Sequence, residues 1–275
     1  MIVHLVDGTY ELFRHFYGLR RGKMAKDPPL GAVAGVLGTV LQMIEQGATH
    51  VGVATDHVIE SFRNDLWAGY KTGAGVDPAL AAQFGPLEEA LAAMGVTVWP
   101  MVDLEADDAL ASAAFLAARD EAVEKVAIWA NDKDLAQCVR GDRVVQIDRR
   151  SGAIRNADGV RQKFGVSPQR IPDFLALVGD AADGYPGIPK IGAVSAARLI
   201  TSYGALEEFP DSVLGEHRDL ALLFKRLAIL RDDAPLFDDV DALRWRGPTP
   251  AFSEWVERMN APRLLERCNA LLARA

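Results

Sequence analysis

Four apolar runs of strand length, MIVHLV, THVGVAT, VTVWPMV and KVAIWA, alternate with Ala- and Leu-rich stretches at 31 to 46, 79 to 94 and 105 to 118 that carry helical spacing. Strands separated by helices pair in parallel, because each crossover has to return the chain to the same end of the sheet. The pattern therefore predicts an α/β fold with a parallel sheet. In such sheets the ligand side lies outside the carboxyl ends of the strands. Asp7 follows IVHLV, Asp56 follows VGVAT and Asp132 follows VAIWAN, so all three fall at predicted strand ends. Glu105, Asp107 and Asp108 of EADD open the helix after VTVWPMVDL, where the helix dipole favours negative charge.

Asp134 in NDKD and Asp180 and Asp183 in GDAAD bring the set to nine carboxylates in five short clusters. A single aspartate at a strand end is ordinarily a cap or a turn residue. Nine converging on one edge are different, since one like-charged pair about 4 Å apart costs roughly 4 kcal/mol at an effective dielectric near 20. A cation among them is expected. Oxygen donors without a Cys/His cluster suit hard divalent ions such as Mg²⁺ or Mn²⁺ rather than zinc or iron.

The chain has 275 residues, 49% of them hydrophobic, enough for a full core. Two cysteines make no disulfide framework, and the start lacks the charged and apolar regions of a signal peptide. No apolar run approaches the roughly 18 residues of a membrane span. A soluble, cytoplasmic protein is expected. The net charge of −8 speaks against a phosphate-rich partner, except that bound metal would offset many of the acids.

Beyond residue 144 the texture changes. VVQIDRRSGAIRN reads as a short hairpin turning at Ser151-Gly152, and a helical region punctuated by Gly and Pro follows. The expected division is an α/β domain at 1–158 and a helical subdomain at 159–275. In the latter, the turn Gly187, Ile188, Pro189, Lys190, Ile191, Gly192 leads into an Ala-rich helix, an arrangement that lets backbone amides approach a phosphate.

VDGTYELFRHFYG, SFRNDLWAGYK, EADDALAS, NDKDLAQ and LVGDAADGYPGIPKIGAVSAARL occur in the order and approximate spacing of the bacterial 5′-3′ exonuclease family, which includes the N-terminal domain of DNA polymerase I and is related to the flap endonucleases. The resemblance covers residues 1 to 210 strongly. It implies a PIN-like sheet with a helix-three-turn-helix in the helical subdomain, and an enzyme that cuts DNA at 5′ ends or flaps in replication or repair; a monomer is expected, either stand-alone or the nuclease part of a longer protein. Two metal ions roughly 3.5 to 4 Å apart would serve hydrolysis. The nine acids, Asp7, Asp56, Glu105, Asp107, Asp108, Asp132, Asp134, Asp180 and Asp183, match the family's metal site.

By the same resemblance Arg63, Tyr70 and Lys71 belong to a helical gateway, the two cations gripping the scissile phosphate and the tyrosine stacking on a base. Lys190, Ile191, Gly192, Ala193, Val194 and Ser195 would hold the DNA backbone. A potassium ion would sit on the carbonyls of Leu177, Val178, Pro186, Ile188 and Ile191. Arg14 and His15, just past Asp7, read as surface residues.

Several positions depart from the family pattern: Ala74 for a common Arg, Ala130 for a Thr, Gly184 for an Asn, Lys190 for a Gly, and Val194-Ser195 for Lys-Thr. None removes an expected ligand. A ribonuclease of the small PIN type, and a DNA-binding protein without catalysis, are the alternative readings.

Overall fold

The computed structural model describes residues 1–21 and 30–274. The first part of the chain runs β1 (Ile2–Asp7), α1 (Gly8–Arg21), α2 (Gly31–Glu45), β2 (His50–Asp56), α3 (Phe62–Leu66), α4 (Pro78–Ala81), α5 (Phe84–Ala93), β3 (Thr97–Met101), α6 (Ala106–Ala117), β4 (Lys125–Trp129), β5 (Val144–Ile147) and β6 (Ile154–Arg155). Seven helices follow: α7 (Ala157–Phe164), α8 (Ile171–Val178), α9 (Ala193–Tyr203), α10 (Asp211–Leu214), α11 (Arg218–Ala228), α12 (Phe252–Arg258) and α13 (Pro262–Leu272).

The strands form one sheet in the order β3-β2-β1-β4-β5-β6, parallel except for the terminal β5/β6 hairpin. Crossover connections on either side of β1 place it at the centre, where both faces are covered, and Val3, Leu5 and Val6 are fully buried. The register sets Asp7 beside Ala54 of β2, and Val6 beside Trp129 of β4. The strand ends carrying Asp7 and Asp56, and the segment just past β4 carrying Asp132, thus emerge on one edge. The predicted helix at 79 to 94 is broken at 82–83 into α4 and α5; Asp77 caps the first piece by accepting the Ala79 amide at 2.9 Å.

One sheet face packs on α1, α2 and α5, with Val36, Leu37, Val40, Leu41, Leu87 and Leu91 buried. Each such side chain contributes roughly 1.5–3 kcal/mol by leaving water. The other face is covered by α6 through Ala109, Leu110 and Ala113. Helices α7, α8, α9 and α11 enclose a separate core around Leu175, Leu177, Phe224 and Leu227.

The division expected at 158/159 does not follow the packing at the C-terminus. Leu230, Val240 and Leu243 return to the α6 face of the sheet. Phe252, Trp255, Leu264 and Cys268, from α12 and α13, lie in the same cluster as α2 and α5. These two helices are amphipathic, and local periodicity states that a face is apolar without stating which core receives it. Among the described residues no helix is long and apolar enough to cross a membrane.

Candidate metal centre

β1 ends on Asp7, whose Oδ1 accepts the Tyr10 amide at 2.8 Å in the first turn of α1. Asp56 ends β2, and its Oδ1 accepts the Ala106 amide at 2.7 Å, tying the strand end to the start of α6. Asp132 Oδ1 accepts the Asp134 amide at 3.2 Å in the loop beyond β4. The turn after α8 supplies Asp180 and Asp183, both buried. Carboxylate oxygens of Asp132, Asp134 and Asp180 all lie within 4.8 Å of one another.

Electrostatics shows the same convergence. Burial pushes the Asp7 carboxyl up to about 7, assisted by the charges of Asp56 and Asp132 and opposed by the Tyr10 amide. Burial first, then Asp132 and Asp7, raises Asp107 well above the carboxylate range; burial, Asp132, Asp183 and Asp180 do the same to Asp134. Asp183 rises to about 6 through burial and the repulsion of Asp132 and Glu105, against the pull of Lys71. Asp56 is also raised, chiefly by burial.

Three buried polar atoms in this region have no hydrogen-bond partner among the described residues: Asp107 Oδ1, Asp134 Oδ1 and the Tyr185 hydroxyl. Leaving such an atom unsatisfied costs about 1–3 kcal/mol. Two ammonium groups stand among the acids. Lys71 Nζ is 2.7 Å from Glu105 Oε2 and 3.1 Å from Asp183 Oδ1, and Lys133 Nζ is 2.6 Å from Asp180 Oδ2. Orphaned carboxylate oxygens, an all-oxygen donor set and unbalanced negative charge fit hard divalent cations.

A pH dependence follows. A carboxyl raised in the folded state contributes stability that is full below its unfolded value near 4 and is lost as pH rises through its folded value. Asp183 loses its contribution through about 6 and Asp7 through about 7. The melting temperature of protein kept in chelator is expected to fall between about pH 4 and pH 7, and added divalent ion is expected to restore more of it at the upper end. A flat profile in chelator would show that burial and mutual repulsion do not raise these acids.

Two members of the expected ligand set are differently engaged. Asp108 is fully buried, and its two oxygens lie 2.7 Å from the two terminal nitrogens of Arg63; it also accepts the backbone amides of Arg231 at 2.9 Å and Glu105 at 3.0 Å. With these partners it is a structural counter-ion rather than a metal ligand. Arg63, 1% exposed, donates its remaining hydrogens to the carbonyls of Leu227 and Ile229 and to Glu105, so it does not reach a phosphate as expected of a gateway residue. Glu105 accepts from Ser61 at 2.7 Å and from Lys71; burial would raise it, and Lys71 and Arg63 overcome this and hold it below the usual range.

Tyr70 is 4% exposed, with its hydroxyl 3.4 Å from Glu105 Oε2. Its ring lies in the helical core, which removes the expected stacking on a base. Lys71, by contrast, remains part exposed over the acids.

In the turn between α8 and α9, Gly179 and Gly187 have positive φ, and a Cβ on either would come within 2.4 Å of the other strand's backbone. The backbone at 177–179 therefore lies directly against 186–188, with the Ile188 amide on the Leu177 carbonyl at 2.8 Å. Lys190 stands at φ 67°, a conformation that suits the glycine the family pattern has there. Lys190, Gly192, Ala193 and Val194 are exposed, while Ile191 and Ser195 are half-buried.

Sequence reasoning missed a second charged network beside Asp7. Glu11 is fully buried, with Arg149 Nε at 2.7 Å and Arg14 also bonded to it, and these arginines hold its carboxyl below its ordinary value. Arg14 and His15, read as surface residues, are part-buried against this network; burial and the Arg14 charge push His15 down to about 4. Lys133 had a signal, its place between the two acids of NDKD. Tyr185 had none.

A family model described as the 5′-3′ exonuclease N-terminal resolvase-like domain matches residues 2–165, and one described as the 5′-3′ exonuclease C-terminal SAM fold matches residues 166–251. DNA polymerase I of Pseudomonas aeruginosa is 34% identical over 260 residues, which cover 87% of this chain and 28% of that protein. The chain thus spans little more than a quarter of the length of that relative. A 5′-3′ exonuclease of Buchnera aphidicola subsp. Acyrthosiphon pisum is 27% identical over 254 residues, 85% of this chain and 88% of that protein. Among solved structures, T5 5′-exonuclease with bound zinc superposes with a TM-score of 0.66 at 17% identity over 99% of both chains. The catalytic core of Rad2 in complex with DNA substrate gives 0.57 at 14% identity, over 98% of this chain and 91% of that one. At such identities the structural likeness bears on the fold, a mostly parallel sheet with a helical C-terminal unit.

Proposed function

Because the chain belongs to the 5′-3′ exonuclease family, we propose that it hydrolyses phosphodiester bonds of DNA at 5′ ends or flap junctions, with two Mg²⁺ or Mn²⁺ ions. The observation that carries this reading is the convergence of carboxylates from five chain segments on one sheet edge, with Asp107 Oδ1 and Asp134 Oδ1 buried and unpartnered. Asp7, Asp56, Asp107, Asp132, Asp134, Asp180 and Asp183 would hold the ions, and Glu105 would join once Lys71 moves onto substrate. When bound, such ions supply an activated water and neutralise charge on the phosphoryl oxygens.

The chain's own residues do the rest. The amides of Tyr10, Ala106 and Asp134 orient the carboxylates of Asp7, Asp56 and Asp132. Lys71, on the edge of the acidic pocket, is placed to meet the scissile phosphate and offset charge that builds there. The segment from Lys190 to Val194, exposed except at Ile191 and opening α9, offers backbone amides to a DNA phosphate without reading bases. The carbonyls of Leu177, Val178, Pro186, Ile188 and Ile191, around the close-packed turn at 177–179 and 186–188, would hold a potassium ion. A monomeric, cytoplasmic enzyme acting in replication or repair is the accompanying expectation.

The test is cleavage of a labelled 5′-flap duplex beside matched single-stranded DNA and RNA, with Mg²⁺, Mn²⁺ or EDTA. Cutting at the flap junction or the 5′ end that EDTA abolishes is expected. Preference for RNA would favour the small PIN-type ribonuclease, and tight flap binding with no cutting under any metal would make the protein a binder.

A further inference from the structure

The gateway runs from α3 to α4 through residues 67–77, and its two helices have five and four residues. Helices that short do not hold a fixed geometry unaided. The gateway backbone is fastened elsewhere, to the turn that carries Asp183. The Lys71 amide donates to the Asp183 carbonyl at 2.9 Å, and Trp67 Nε1 donates to the Gly184 carbonyl at 3.1 Å. Gly184 has φ 85°, and a Cβ there would stand 2.0 Å from the Gly69 carbonyl oxygen and 3.4 Å from the Lys71 amide. The gateway backbone therefore lies flat on the bare face of Gly184, at the position where the family pattern has Asn.

Of the gateway cations, Arg63 is consumed by Asp108 and position 74 is alanine, which leaves Lys71 as the gateway cation at the acids among the described residues. Its ammonium can be useful only if the backbone beneath it is fixed. We propose that Gly184 and Trp67 are positioning residues. The Asp183-Gly184 turn is the dock on which the gateway rests, and this dock sets where the Lys71 ammonium stands over the scissile phosphate. The proposal rests on the nuclease reading above for the phosphate.

A double-mutant cycle tests it. Lys71→Ala is expected to slow single-turnover flap cleavage by about 10²-fold. Gly184→Ala, which pries the backbones apart, is expected to slow it by at least about tenfold, and Trp67→Phe, which keeps an aromatic ring beside Phe224 and removes the donor, by about three- to tenfold. Combined with Lys71→Ala, neither change is expected to slow cleavage further, because each acts through the lysine. Mn²⁺ affinity of Trp67→Phe without DNA is expected to stay within about twofold of wild type, since no ligand is touched. Effects that multiply in the double variants would overturn the proposal, as would wild-type cleavage by Gly184→Ala and Trp67→Phe. Should the wild-type protein cut no substrate, the nuclease reading fails and the dock is judged by limited proteolysis. Both variants are then expected to expose residues 67–77 to cleavage, and unchanged protection would sink the dock.

Discussion

Replacing Asp134 by asparagine is expected to lower flap cleavage by on the order of 10³-fold while raising the melting temperature of the metal-free protein, because losing a ligand weakens both ion affinity and the neutralisation of developing charge. The two effects have opposite signs because one charge serves both. Asp134 is 4% exposed, its Oδ1 has no hydrogen-bond partner among the described residues, and Asp132, Asp183 and Asp180 repel it. Asparagine keeps the shape and removes the charge. Without metal, that removes the repulsion by Asp132, Asp183 and Asp180, which is expected to raise the melting temperature by a few degrees.

In saturating Mg²⁺ the order is expected to reverse, since the wild-type carboxylate gains more from the ion than the amide does. Melting curves of both proteins in chelator and in Mg²⁺, beside single-turnover cleavage, decide the matter. A variant less stable than wild type in chelator would make Asp134 a structural residue. Retained cleavage would remove it from the ligand set.

The strand-end acids were legible because two independent patterns coincide there. Apolar runs of strand length locate β1, β2 and β4, and an acid follows each, so the sheet edge carrying Asp7, Asp56 and Asp132 could be read before any coordinates. Asp180 and Asp183 lie in a turn that no periodicity marks, and only the family motif pointed to them. The identity of each partner was hidden. In SFRNDL the sequence shows a Ser cap and a cation in the first turn of a short helix, a pattern equally compatible with a solvated face. That α3 turns Arg63 inward depends on Leu227 and Ile229 arriving from 164 and 166 positions further on, with carbonyls for it to satisfy. The same segment buries Asp108, so an EADD cluster that reads as three equivalent ligands separates into a cap, a candidate ligand and a counter-ion. Likewise, the return of α12 and α13 to the α2 face is a matter of which core has room, and local amphipathicity carries no information on that.

Arg63→Ala supplies the second large effect, on stability rather than chemistry. The guanidinium makes both bonds of a bidentate pair with Asp108 at 2.7 Å, and adds Leu227, Ile229 and Glu105. Removing it strands a fully buried carboxylate, which typically costs 3–5 kcal/mol, roughly, when one partner of a buried pair is lost. Arg63→Lys is not expected to recover this, because an ammonium cannot span two carboxylate oxygens and two carbonyls from one plane. Pairing Arg63→Met with Asp108→Leu is expected to recover only part of it: no stranded partner charge remains at the pair, but the amides of Glu105 and Arg231 and the carbonyls of Leu227 and Ile229 lose their partners. Urea unfolding of the three variants measures the effect directly. Glu105 and Lys71 retain each other in the double variant, so flap binding by that protein is expected to survive refolding of the pair. Unchanged stability of Arg63→Ala, together with weakened flap binding, would return Arg63 to the DNA-facing role that its sequence motif first suggested.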